Sequence, residues 1–123
     1  MSKSFTQFIT RPKSNQGVKL VIPETNGETI TIIGVDSDKF KQTSIDLLRA
    51  SAKASEGKKL SDNQIDKQAA DNRIALLCAC VVDWSFSEKC TDANIKTLLI
   101  DAPQIALFID NEAGNHSNFL GKP

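Results

Sequence analysis

The chain carries little with which to do chemistry. Of its 123 residues one is histidine and three are cysteine, and Lys+Arg and Asp+Glu both number 15, so the formal net charge is zero. With no surplus of either sign there is no overall field to draw in phosphates, which argues against a non-specific nucleic-acid binder, and little self-repulsion keeps copies apart. An odd number of cysteines argues against a disulfide framework. The longest apolar run, Ile74 to Val82, is far too short to cross a bilayer, and no charged-then-apolar segment opens the chain. The expectation is a protein of the cytoplasm in which it is made, with no membrane partner.

Catalytic signatures are missing as well. The sequence holds no phosphate-binding glycine loop, no nucleophile elbow and no metal-helix pattern. Cys78, Cys80, Cys90 and His116 are the right residue types for zinc, yet residues two apart on a helix point about 200° apart. Cys78 and Cys80 therefore cannot both reach one ion unless their helix breaks, and the three thiols read as buried apolar groups. His116 lies in a polar tail just past a helix end, where no base and nucleophile are held rigidly. Asp83, Asp101 and Asp110 flank helix ends; Asp101 fits capping, whereas Asp83 and Asp110 need a basic or backbone partner, or water. No catalytic residue, metal or cofactor is expected.

What is present is ordinary globular composition, 40% hydrophobic and 24% charged, at the length of one domain. Residues 1–16 are polar with scattered Phe5, Phe8 and Ile9, and read as a flexible N-terminal arm, frayed or docked on a partner. Residues 17–35 read as a β-hairpin, two β-rich runs around Asn26-Gly27, a pair that favours a type I′ turn. A tip at those two residues places Leu20 opposite Ile33, Val18 opposite Val35 and Val21 opposite Ile32. Both faces are then partly apolar, so one lies on helices, while the other is covered by the domain's own helices or by another subunit. Asp36 fits an N-cap, with Val35 and Phe40 as a hydrophobic staple, opening a helix over about 36–54 striped by Phe40, Leu47, Leu48 and Ala54, with Ile45 at its border.

Ser61 and Gln64 have capping-box spacing and open the longest helix, over about 61–84. From Ile74 onward it is apolar on almost every side and must be covered all round. Trp84 at its end is either an anchor of the core or an exposed hot spot. Thr91 caps a helix over about 91–100, and Pro103 suits the first turn of another over about 102–113. Residues 115–123 form a short tail whose apolar content is Phe119 and Leu120. The fold class is α+β and mostly helical, an N-terminal β-hairpin packed on a bundle of about four helices, in a single domain over 17–114.

Short helices joined by tight turns also suit a DNA reader, but Asn94, Lys96 and Gln104 are sparse and lie among Asp92, Asp101 and Asp110. A family resemblance is more informative. The order hairpin, helix, long helix ending in Asp83-Trp84, then Cys90-Thr91-Asp92-Ala93-Asn94-Ile95 and Leu98-Leu99 before Pro103, resembles the tail assembly chaperones of long-tailed bacteriophages, over roughly Gly17 to Asp110. The resemblance implies a non-enzymatic protein that coats the tape measure protein, keeps it soluble and recruits tail tube subunits. It further implies self-association, absence from the finished virion and, in many members, a frameshifted longer form, for which Gly121-Lys122 is a possible slippery site. A permanent structural piece of a tail or neck shares this size and composition. Partner-facing candidates are Val21, Ile30 and Ile32 of the hairpin, with Trp84, Phe119 and Leu120.

Overall fold

A computed structural model describes residues 4–121. Its centre is a three-stranded antiparallel sheet in the order β1 (Val18–Val21), β2 (Thr29–Ile32), β3 (Val81–Trp84). Around it lie α1 (Arg11–Gln16), α2 (Asp38–Ala54), α3 (Asp62–Cys80), α4 (Asp92–Asp101) and α5 (Pro103–Ala113), with 3-10 turns at Phe5–Phe8 and His116–Asn118. The fold class is therefore mostly helical α+β, with an N-terminal hairpin, as expected.

Local chemistry sets several helix ends where the sequence places them. Ser61 and Gln64 form the reciprocal capping box, Ser61 Oγ accepting from the Gln64 amide at 3.2 Å and Gln64 Oε1 from the Ser61 amide at 2.8 Å. Thr91 Oγ1 accepts from the Asn94 amide at 3.2 Å, and Pro103 occupies the first turn of α5, where its missing N–H costs nothing. Asp101 does not cap that helix; it closes α4, and Ala102 precedes Pro103 without a side-chain cap. Asp36 is not the cap of α2 either. Ser37 fills that role, its Oγ accepting from the Phe40 amide at 3.1 Å, so the staple pattern of Val35 and Phe40 is one residue out of step, although both side chains still pack on the core.

The hairpin has a different tip from the one expected. Its register pairs Val18 with Ile32, Lys19 with Thr31, Leu20 with Ile30 and Val21 with Thr29. Pro23 has no N–H to continue the ladder, so the last rung joins Ile22 to Glu28 and the connection is a wide loop. Thr25 bridges that loop, donating to the Ile22 carbonyl at 2.7 Å and accepting from the Glu28 amide at 3.2 Å. The long helix is also shorter than its apolar run. It stops at Cys80, and Val81–Trp84 becomes the third strand, pairing with Ile30–Ile32 across a bulge. An apolar run has no periodicity with which to tell helix from strand, and the β-branched Val81-Val82 pair suits a pleated sheet.

One sheet face carries Val18, Leu20, Ile30 and Ile32 against Leu77 and Cys80 of α3, Ile95 and Leu99 of α4, and Ile105, Ile109 and Ala113 of α5. Phe119 completes this core, fully buried. The α1 helix is likewise built into the body. Arg11 forms a two-pronged ion pair with Asp38 at 2.9 Å on each arm, Asn15 Oδ1 accepts from the Asp38 amide at 2.7 Å, and Ser14 is buried beneath Gly34. A Cβ on Gly34 would stand 3.0 Å from the Phe119 ring and nearer still to Ser14 Oγ, so only glycine lets these segments meet.

Candidate functional site

The six residues singled out from sequence are divided by the fold. Ile30, Ile32 and Phe119 are buried in the core and present no surface. Trp84 is partly buried, its indole Nε1 donating to the Glu88 carbonyl at 2.7 Å and its ring edge-on to Phe86 at 5.5 Å. Val21 and Leu120 are exposed. No single patch gathers all six, because period-2 alternation in β2 turns both isoleucines inward.

The surface that sequence reading missed lies along α3 and α4. A groove of about 790 Å³ runs between these helices. Ala70, Ile74, Ala75 and Cys78 of α3 and Ile100 of α4 give it an apolar floor, and Lys67, Asp71, Asp92 and Lys96 line its rim. The helical pattern predicts Ile74 as buried, and the structure leaves it half-covered, packed on the core from below and open to the groove above. The signal available in the sequence was the pair of small residues Ala70 and Ala75 near Ile74, which keep the helix surface low enough to admit another element.

A second apolar stretch is the outer side of α2. The helix has no buried residue, and Leu48 is 69% exposed with Ile45 at 42%. The stripe read from its sequence is therefore mostly not a core stripe: Phe40 and Leu47 are half-buried, while Ile45, Leu48 and Ala54 face outward. Its side-chain tie to α3 is a 3.2 Å hydrogen bond from Asn72 to Ser51. α3 is fastened to α5 by Arg73 and Asp110 at 3.3 Å, the partner that Asp110 needed, and Asp83 meets its need by accepting from the Trp84 amide at 2.9 Å.

Among the described residues, titratable groups form nothing resembling a reaction centre. Burial pushes the Cys80 thiol up to about 12 and raises those of Cys78 and Cys90, so all three stay protonated near neutrality and are poor nucleophiles or ligands. Among the described residues no cluster of three or more His, Cys, Asp or Glu side chains could hold a metal ion. His116 Nε2 lies 3.5 Å from Asp36, whose carboxylate also accepts from the Thr10 hydroxyl. No described helix is long and apolar enough to cross a membrane.

No curated protein and no solved structure matches this chain. One protein family does, over residues 1–112, so that the similarity takes in residues 1–16, which the resemblance read from sequence alone had left out. With most of its length matched by that family's profile, the chain belongs to the phage tail assembly chaperones, a non-enzymatic family.

Proposed function

We propose that this protein binds the tape measure protein in the infected or lysogenic host, keeps it soluble and helps bring tail tube subunits to it, without remaining in the virion. The observation that carries this reading is the groove between α3 and α4. A tape measure protein is long and helical with exposed apolar stripes, and an amphipathic helix laid on the groove would cover its stripe on Ile74, Ala75, Cys78 and Ile100. The rim holds one acid and one base from each helix, so it favours a client helix whose flanks carry both signs rather than a strongly charged one. Each contact is modest, and many copies along a long client supply the strength.

Co-expression of the full chain with a tape measure fragment tests this. The fragment is expected in the soluble fraction with the wild type and in the pellet with Ile100→Glu, which places a charge on the groove floor at a residue already 52% exposed and so leaves folding intact. Equal solubilisation by both proteins would overturn the groove assignment, and no solubilisation by the wild type would overturn the function. A stoichiometric signal from this chain in purified virions would instead favour a permanent tail component.

A further inference from the structure

The two edges of the sheet are not alike. Because Ile22 donates to the Glu28 carbonyl at 2.9 Å, the ladder alternation turns the N–H and C=O of Val18 and Leu20 toward β2 and those of Lys19 and Val21 outward. Among the described residues nothing bonds to these outward groups, and Val21 is 63% exposed beside an exposed Lys19. The opposite edge is obstructed at its end. The Trp84 amide is taken by the Asp83 carboxylate, and the segment after it folds back so that Glu88 accepts from the indole. Unpaired edges template further strands, and of the two edges β1 is the one whose outward amides carry no bond.

We propose that β1 pairs antiparallel with β1 of a second copy about a two-fold axis through Leu20, joining two molecules into a closed pair with one continuous sheet. The edge is self-complementary in this register. Lys19 lies opposite Val21 of the second copy and Val21 opposite its Lys19, so each such pair exchanges both backbone hydrogen bonds. No ammonium faces another directly, and each lysine stem lies along a valine. On the core-facing side Leu20, half-buried in the single chain, meets Leu20 of the second copy and lengthens the apolar face. Zero net charge leaves no general repulsion against the pairing. Because the pairing uses the β1 edge of both molecules, the contact is isologous and stops at two, so self-association through β1 yields a pair and not a filament. Such a pair would offer two α3–α4 grooves on one body, but its existence does not depend on what those grooves bind.

Sedimentation velocity of the full-length chain alone, over a range of concentrations, provides the test. The wild type is expected to pass from monomer to dimer with no larger species. Val21→Glu places a carboxylate opposite the lysine of the second copy and is expected to tighten the pair roughly tenfold, while Val21→Lys loosens it by a similar factor. If Val21 instead faced Val21, both substitutions would weaken association, and that result would overturn the register and the proposal with it. A persistent monomer, or open-ended species growing with concentration, would overturn it equally. Val21→Pro is the folding control, since it removes only an N–H that points away from β2; it is expected to abolish the dimer while leaving the circular dichroism and melting of the monomer unchanged. A monomeric wild type that still solubilised the tape measure fragment would refute the pair and leave the proposed function standing.

Discussion

Two regions of this molecule use apolar residues in opposite ways. The sheet with α4, α5 and the end of α3 encloses Leu77, Ile95, Leu99 and Ile105 together with Ile30, Ile32 and Ile109, the last three at zero exposure. The α2 helix and the first half of α3 contain helix formers and caps of equal quality, yet α2 has no buried residue, and Ile45, Leu48 and Ile65 face solvent. The difference shows that helix formation here is a local matter, whereas burial depends on distance from the sheet. The sheet side supplies stability. The α2–α3 arm has apolar surface to spare.

The largest expected effect should set the two regions apart. Ile30→Ala should lower unfolding stability by about 2–5 kcal/mol, the range for a buried large-to-small change, while Leu48→Ala should stay within about 0.5 kcal/mol, as for exposed sites. Urea titration compares them, and similar costs would mean that the arm is part of the core. Gly34→Ala should cost about 1–3 kcal/mol by the same measurement, since its methyl would drive into Phe119 and Ser14. Ser61→Ala removes one half of the capping box and should cost about 1 kcal/mol. Hydrogen exchange should locate that loss in the first turns of α3, with protection of Ile30 and Ile32 unchanged; a loss spread evenly would mean the two regions unfold as one.

A smaller effect of opposite sign is expected at Ser14, whose hydroxyl is buried with no hydrogen-bond partner among the described residues. Ser14→Ala should be neutral or stabilise by up to about 1 kcal/mol, because an unsatisfied buried hydroxyl is removed. The smallest belongs to Arg11 and Asp38, which tie α1 to α2. The hydrogen bond from Arg11 holds the Asp38 carboxyl below its ordinary 3.8, with the Arg11 charge and Asn15 acting in the same direction. Its contribution is therefore present above that value and is lost as pH falls through the lowered one. Limited proteolysis near Arg11 should accelerate in acid and in high salt, and Asp38→Asn should remove the acid dependence.

Much of this was legible beforehand, and what was not follows a pattern. The capping box at Ser61, the cap at Thr91 and the first-turn Pro103 depend on groups three or four residues apart, so the sequence contains both partners of each bond. The existence of a hairpin was legible for the same reason, but not its register, which turned on Pro23 ending the ladder early and Thr25 spanning the loop. The α3–α4 groove was illegible because its two walls are separated in the chain by the strand and loop between Cys80 and Asp92. Val21 and Leu120 proved exposed and Ile30, Ile32 and Phe119 enclosed, a distinction that apolar character alone does not make.

The sequence by itself determined where α3, α4 and α5 begin, since a capping box, a threonine cap and a first-turn proline are local properties. Only the tertiary structure decided that Val81–Trp84 is a strand, that Ser14 and Phe119 meet over Gly34, and which edge of the sheet stays open. Those outcomes depend on pairing between segments far apart in the chain, as when the Ile33 amide finds the Cys80 carbonyl at 2.8 Å, and neither segment alone contains the information for it.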